Sequence, residues 1–294
     1  MKIALCAIVK NENIYLREWV EYHKSIGFDK IILYDNNPVD GEVPHQVLGD
    51  YVMDGYVDVY NVRGVAWSYM PFNKRIYLQS EAYKNCLETY HNEYKWIAFI
   101  DVDEFITISN NESQNIHDIF EKYKYDKAGY EQVLMSWYTI GDDGDVNYNP
   151  NDVRQRFLSH RTSGDVLDGI NDFWVKSIVR SDILSKLDEK HIDMSWHATN
   201  WLYSCNEQGR PVYPANDGHL AKLPQPYHNI LYVKHYFSKS LWEHLSRMRD
   251  IRDTWDQQAK DNRIHLYKKL NGWSNEHEKA YTEYIRYMNN KEVL

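Results

Sequence analysis

Trp96-Ile97-Ala98-Phe99-Ile100-Asp101-Val102-Asp103-Glu104-Phe105 runs five apolar residues straight into an Asp-x-Asp-Glu cluster, after which Phe105-Ile106 resume the apolar pattern. A short apolar run bounded in this way reads as a buried strand of a parallel or mixed sheet. Its acids then fall at the strand's C-terminal end, where α/β sheets place their ligand sites. Alternation along an extended chain points Asp101 and Asp103 the same way. Two carboxylates with no base beside them in sequence repel each other and gain most by sharing a divalent cation. Oxygen ligands of this kind suit Mg²⁺ or Mn²⁺, ions that commonly also hold substrate phosphates. For an isolated Asp-x-Asp a solvated strand end is the more ordinary reading, so the rest of the chain has to choose.

Working outward, residues 3–9 form a first buried strand, and Lys10-Asn11-Glu12-Asn13 a polar turn in which Asn11 or Asn13 can cap a helix. Tyr15, Leu16, Trp19, Val20, Tyr22, His23 and Ile26 then recur at helical spacing, and Gly27 ends that helix. A second strand at 30–34 leads into the turn Asp35-Asn36-Asn37-Pro38. A weaker helix at 43–53, a strand at 57–62 and an amphipathic helix at 76–90 return the chain to Trp96. This β-α-β-α-β-α-β order implies right-handed crossovers and a parallel sheet. It sets three polar loops along one edge: 10–13, 35–37 and 101–104. A Rossmann glycine fingerprint and a phosphate-binding P-loop are both absent, which argues against a dinucleotide oxidoreductase or a P-loop kinase. What remains is a nucleotide site in which acids and a metal manage the diphosphate.

The bulk numbers agree. At 294 residues the chain suits one large α/β domain or two small ones. A net charge of −9 argues against nucleic-acid binding, whose phosphate contacts need a basic face. Aromatics reach 15%, enough to supply stacking surfaces for bases or sugar rings as well as core. Three scattered cysteines show neither a disulfide framework nor zinc spacing and fit a reducing compartment. No apolar run approaches membrane length, so a cytoplasmic location is expected, with peripheral membrane attachment left open.

Val9-Lys10-Asn11-Glu12, Leu16 through His23, Tyr34-Asp35-Asn36-Asn37 and the Trp96–Phe105 stretch stand in an order that resembles the GT-A glycosyltransferases of the family 2-like and family 92 kind. Ser136-Trp137-Tyr138-Thr139-Ile140-Gly141-Asp142-Asp143-Gly144 is similar to that family's Trp-x-x-Phe-Gly-x-x-Gly segment. Arg154-Gln155-Arg156-Phe157, Val175-Lys176-Ser177-Ile178-Val179-Arg180, His191 with His197, and His235-Tyr236-Phe237-Ser238-Lys239-Ser240 follow in order. The likeness covers about residues 1–250, and Ile140 departs from it where the family usually has an aromatic.

The resemblance implies an α/β GT-A fold with a mixed, mainly parallel sheet flanked by helices. It implies an Mn²⁺- or Mg²⁺-dependent, inverting hexosyltransferase that moves a sugar from a nucleotide-sugar donor to a glycan or glycolipid hydroxyl. The donor implied is a UDP-sugar, with UDP-galactose favoured by resemblance alone. Position by position it implies nucleotide contacts from Val9, Lys10, Asn11, Glu12, Asp35, Asn36, Arg75 and Asp101. Asp101, Asp103 and His235 would hold the metal, and Lys239, one helical turn past His235, would meet diphosphate oxygens. Asp143 or Asp142 would be the base that deprotonates the acceptor. The same metal and nucleotide logic would serve a nucleotidyltransferase. A non-enzymatic Ca²⁺-dependent carbohydrate-binding protein is the other alternative.

Residues 141–149 carry oxygen side chains like a calcium loop, but Tyr148 stands instead of a turn glycine and Arg154 instead of the closing Glu; a polar turn is the plainer reading. Most of the thirteen histidines should be surface or hydrogen-bonded core residues. At least half of Trp137, Trp174, Trp196 and Trp201 should be core rather than sugar platforms. Prolines break residues 206–229 into loops, and residues 231–233 form a last strand into His235. Leu241, Leu245, Met248 and Trp255 take helical spacing after a Ser240 cap, as do Tyr281, Tyr284, Ile285 and Met288. The expected organisation is a catalytic domain of residues 1–240 with a helical appendage at 241–294.

Overall fold

The computed structural model describes residues 1–65, 67–70, 74–162, 170–186, 202–216, 221–249 and 257–291. The chain divides into two compact units, one of residues 1–137 and 172–234, the other of residues 138–171 and 235–294.

The first unit contains β1 (Ile3–Val9), α1 (Asn13–Ser25), β2 (Lys30–Asp35), α2 (His45–Met53), β3 (Val57–Asn61), a hairpin of β4 (Trp67–Met70) and β5 (Lys74–Tyr77), and α3 (Leu78–Tyr90). β6 (Trp96–Phe99), β7 (Glu104–Ile108), α4 (Ile116–Tyr123), β8 (Gln132–Thr139) and β9 (Val175–Arg180) follow. The short strands β10 (Ser204–Cys205), β11 (Pro211–Val212), β12 (Ala215–Asn216) and β13 (Ala221–Lys222) lead to β14 (Leu231–His235); Tyr138 and Thr139 at the end of β8 and His235 at the end of β14 are counted in the second unit. The main sheet has the order β11-β10-β8-β9-β6-β1-β2-β3, with β14 paired to β7 and β8. β6, β1, β2 and β3 run parallel, while β9 runs antiparallel to both β6 and β8. The expected mixed, mainly parallel α/β architecture is therefore present.

Parallel strands covered on both faces read as unbroken apolar runs, and β1 and β2 are buried almost throughout. On one face Ala82, Tyr83, Cys86 and Leu87 of α3 pack against Ala4, Cys6, Ile32, Tyr34 and Phe99. α1 buries Tyr15, Leu16, Trp19, Val20 and His23 along one stripe and ends at Gly27, whose φ of +96° is the left-handed conformation that a side chain resists. A Cβ there would also lie 2.9 Å from the Asn115 side chain.

Some details differ from expectation. Neither Asn11 nor Asn13 caps α1: Glu12 holds the N-cap position without a side-chain bond, and the Asn13 N–H donates instead to Glu42 Oε2 at 2.9 Å. The β4–β5 hairpin takes up the residues before α3, which starts at Leu78. β6 stops at Phe99, and Glu104 N–H closes a turn on Asp101 O at 3.1 Å, so strand alternation does not set the directions of the two aspartates.

The second unit holds α5 (Val153–Arg156), α6 (Leu241–Arg249), α7 (Gln257–Asn271) and α8 (Asn275–Lys291). Val146 packs with Leu241, Leu245, Tyr267 and Tyr284. The helices expected as an appendage thus share a core with residues 138–171, and the expected boundary at 240/241 falls inside this unit. α6 begins with a capping box: the Glu243 carboxylate accepts the Ser240 N–H at 3.1 Å, and Glu243 N–H donates to Ser240 Oγ at 3.3 Å. Residues 236–240 are not helical, and Lys239 has φ +51°, so Lys239 precedes α6 rather than lying one turn along a helix. Among the described residues no helix is long and apolar enough to cross a membrane.

Candidate functional site

The register of the parallel strands gathers the three polar loops. Val9 pairs with Asp35 across β1 and β2, and Cys6 pairs with Phe99 across β1 and β6. The loops after β1, β2 and β6 therefore leave the same C-terminal edge side by side.

α1 fixes the acidic turn from below. Trp19 Nε1–H donates to the Glu104 carbonyl at 2.7 Å and the Tyr22 hydroxyl to the Ile106 carbonyl at 2.9 Å. Ile106 N–H donates to His23 Nε2 at 3.1 Å, while His23 Nδ1–H donates to the Trp19 carbonyl at 2.8 Å. This bracket explains the Trp19-x-x-Tyr22-His23 spacing: three ring groups on one helix face satisfy the start of β7.

The turn itself is not the unpaired acid cluster that the sequence shows. Lys176 of β9, only 1% exposed, brings its Nζ to 2.7 Å from Asp101 Oδ2 and 3.1 Å from Glu104 Oε2. Gln79 Nε2 donates to the other Asp101 oxygen at 3.1 Å and to the Tyr83 hydroxyl at 2.8 Å. Asp101 N–H donates to Glu104 Oε2 at 2.9 Å, and Glu104 Oε1 is buried with no hydrogen-bond partner. Burial pushes the Glu104 carboxyl up to about 8, opposed by Lys176 and reinforced by repulsion from Asp101 and Asp103. Burial alone would lower Lys176, but Asp101 and Glu104 outweigh it and hold the ammonium above its usual range. Asp101 keeps 37% of its side chain exposed, and Asp103 is buried. Among the described residues no group of three or more His, Cys, Asp or Glu is arranged to hold a metal.

In the neighbouring loops, Asp35 is buried and its Oδ1 accepts from Asn37 N–H at 3.0 Å and Asn37 Nδ2 at 2.6 Å, with Arg63 Nε 3.9 Å from Oδ2. Asn37 Oδ1 in turn accepts Asn11 N–H at 2.7 Å, and Asn36 N–H donates to Val9 O at 2.9 Å. Lys10 is exposed, Glu12 and Val9 are buried, and Arg75 lies on β5 opposite Tyr69.

Asp142, Asp143, His235 and Lys239 belong to the second unit. Asp142 is buried and accepts the Tyr267 hydroxyl at 2.7 Å, His277 Nε2 at 2.9 Å and Gly144 N–H at 2.9 Å. Ser274 Oγ lies 2.7 Å from His277 Nδ1, which completes a Ser–His–Asp chain, but the hydroxyl is committed to capping α8, where it accepts His277 N–H at 3.3 Å. Partial burial would raise Asp143, yet hydrogen bonds from Ser159 and the Leu158 and Ser159 N–H groups outweigh it and hold the carboxyl below its usual range. That makes Asp143 a weaker proton acceptor. These acids frame an open cleft of about 520 Å³ with Arg161, Trp273 and Glu276. Gly141 is needed beside it, since a Cβ would come within 2.5 Å of Arg161 Cγ. His235 and Lys239 are both buried. Trp137 and Trp174 are core residues, the latter with Lys222 Nζ 3.9 Å from its ring centre. His191, His197, Trp196, Trp201 and Trp255 lie outside the described residues.

A family model, glycosyltransferase family 92, matches residues 2–265. The chain belongs to glycosyltransferase family 92. A family 92 protein of Oryza sativa subsp. japonica is 31% identical over 142 residues, 48% of this chain and 22% of that protein. A family 92 protein of Arabidopsis thaliana is 26% identical over 195 residues, 65% of this chain and 31% of that protein. This family 92 chain thus spans under a third of the length of those relatives. Among solved structures, residues 1–349 of S. aureus TarS with UDP-GlcNAc are 11% identical at a TM-score of 0.42, covering 92% of this chain and 72% of that one. The residues in contact with the acidic turn that the sequence did not single out are Lys176 and Gln79. Lys176 stands inside a family-like segment, but its pairing with an aspartate 75 positions away has no local signal.

Proposed function

We propose that this family 92 chain is a metal-dependent glycosyltransferase that moves a sugar from a UDP-sugar to a hydroxyl of a glycan or glycolipid, inverting the anomeric carbon by direct displacement. The observation that carries the reading is the convergence of the loops after β1, β2 and β6 on one sheet edge, with Asp101 and Asp103 at the third. The donor set is all oxygen, which fits Mg²⁺ or Mn²⁺, ions that bind through one or two carboxylates plus substrate phosphates. Asp103 and Asp101 would hold such an ion, which when bound neutralises charge gathering on the departing diphosphate. Exposed Lys10, on the same edge, suits a diphosphate oxygen, and the Asp35–Asn37 turn suits the base and ribose.

A panel of nucleotide sugars beginning with UDP-galactose and UDP-GlcNAc, with and without Mn²⁺, tests this by nucleotide release. Asp103→Asn should lower Mn²⁺-dependent turnover by at least about a hundredfold, the scale of losing a charge stabiliser of the transition state. Its thermal unfolding should shift far less, because Asn keeps the shape of the buried Asp103 side chain and removes only its charge. Wild-type turnover by Asp103→Asn in the presence of chelator sinks the metal reading. Pyrophosphate release would point to nucleotidyl transfer, and sugar binding without nucleotide affinity to a lectin-like protein.

A further inference from the structure

We propose that the cleft of the second unit binds a neutral sugar ring, the acceptor's, with Arg161 and Glu276 gripping its vicinal hydroxyls from opposite walls. Naming that sugar as the acceptor rests on the proposed function; the binding itself does not.

The cleft of about 520 Å³ takes all of its lining from the second unit, and its volume falls within the roughly 300–1,000 Å³ of small-molecule sites. Two of its walls carry opposite charges that do not meet. Among the described residues neither the Arg161 guanidinium nor the Glu276 carboxylate makes a hydrogen bond or an ion pair, although both are exposed and both line the cleft. Each is anchored. The Arg161 stem lies against Gly141, where a Cβ would come within 2.5 Å of Arg161 Cγ, and Arg161 N–H donates to the Thr139 carbonyl at 2.9 Å. Glu276 sits in the first turn of α8, where the positive end of the helix dipole favours a carboxylate. Vicinal hydroxyls suit such a gap because each both donates and accepts: one can donate to Glu276 while its neighbour accepts from Arg161. Asp143 adds an acceptor of fixed direction, since the Leu158 and Ser159 N–H groups hold its carboxylate. Trp273 Nε1–H is taken by Glu278 Oε2 at 2.6 Å, so its indole offers the cleft an apolar surface, the complement of a sugar's C–H face. An anion is disfavoured, because Asp143 and Glu276 outnumber Arg161 and the whole chain carries −9.

Isothermal titration calorimetry of the full chain, with and without UDP and Mn²⁺, against lactose, cellobiose, maltose and digalacturonate tests this. At least one of the three neutral disaccharides should bind with a Kd of about 1 mM or tighter, and digalacturonate more weakly than that one. Arg161→Ala and Glu276→Ala should each weaken the binding at least about tenfold, the scale of a lost hydrogen bond to a charged group. Glu276→Gln, which still accepts from a hydroxyl, should recover part of the loss. Both side chains are exposed, so thermal melts of the variants should match the wild type. No binding by any neutral disaccharide, or binding that both alanine variants leave intact, overturns the proposal. So does digalacturonate binding as tightly as the best neutral sugar, which would make the cleft an anion site. Nucleotide release by the wild-type chain separates this inference from the proposed function. Disaccharide binding without turnover of any UDP-sugar keeps the cleft and removes the transferase; turnover without disaccharide binding does the reverse.

Discussion

His244 shows how one buried ring can set a pH limit on the fold. Its Nδ1–H donates to the Phe237 carbonyl at 3.3 Å, and its Nε2 is buried with no hydrogen-bond partner. A proton on Nε2 would have nowhere to donate. Burial first, then the charges of Arg263 and Arg247, push the imidazole down to about 3. A folded-state value below the unfolded 6.5 means that the unfolded chain takes up the proton first as pH falls. Stability from this residue is therefore complete above pH 6.5 and is lost between 6.5 and about 3, at about 1.4 kcal/mol per pH unit. Glu104 works the other way: raised from 4.5 to about 8, it favours the fold at low pH and loses that contribution as pH rises through this window. The difference between two variants isolates the histidine where the wild-type curve alone does not. His244 sits among aromatic rings, with Tyr267 at 4.7 Å and Phe237 at 5.1 Å, so His244→Phe should fold with a lower but flatter profile. Denaturant unfolding from pH 7 to 4 should show the gap between the two proteins closing as pH falls. A constant gap would mean that His244 takes up its proton in the folded state as readily as in the unfolded one.

Elements, rather than residues, explain two of the family-like segments. Arg156 of α5 makes a bidentate pair with Glu243 of α6, Nη1 to Oε1 at 2.9 Å and Nη2 to Oε2 at 2.7 Å, and both side chains are nearly buried. Glu243 also closes the capping box on Ser240, so one carboxylate joins a helix start to a second helix. Removing one partner of a buried pair strands the other charge, so Arg156→Met should cost about 3–5 kcal/mol. Replacing both, Arg156→Met with Glu243→Leu, should recover much of that, less about 1 kcal/mol for the lost cap. Chemical denaturation of the three proteins gives the comparison, and a double variant no better than the single one would deny the stranded-charge account. The Ser240 cap was legible in the sequence because Ser-x-x-Glu is a local signal. So were β1, β2, β3, α1 and the Asp-x-Asp edge, since buried parallel strands and amphipathic helices write their periods directly into the chain. Lys176, the β4–β5 hairpin and α7 were not. An antiparallel return brings Lys176 under a turn 75 residues earlier, and nothing near Asp142 in sequence reveals Tyr267 and His277, whose hydrogen bonds its carboxylate accepts.

Across the whole molecule, residues 241–294 are needed by a segment a hundred residues upstream. Asp142 loses Tyr267 and His277 without them, Arg156 loses Glu243, and Val146 loses its apolar partners. Residues 138–171 would then carry a buried carboxylate and a buried guanidinium with no partners from α6, α7 or α8, a state that favours local unfolding. The first unit draws its sheet from residues 1–137 and 172–234, and β8 pairs with β9 on either side of the affected segment. A chain ending at residue 240 should therefore keep that sheet and lose order between. Brief trypsin treatment should cut it at Arg154 and Arg156 at least about tenfold faster than the full chain, as expected when cleavage follows the population of an opened segment. The two fragments should still elute together on size exclusion, held by eight-residue β8 against six-residue β9 and their neighbours. Equal protection of Arg154 and Arg156 in both chains would show that residues 138–171 hold their shape without the C-terminal helices. Separation of the fragments would show that the sheet of the first unit does not survive the cut.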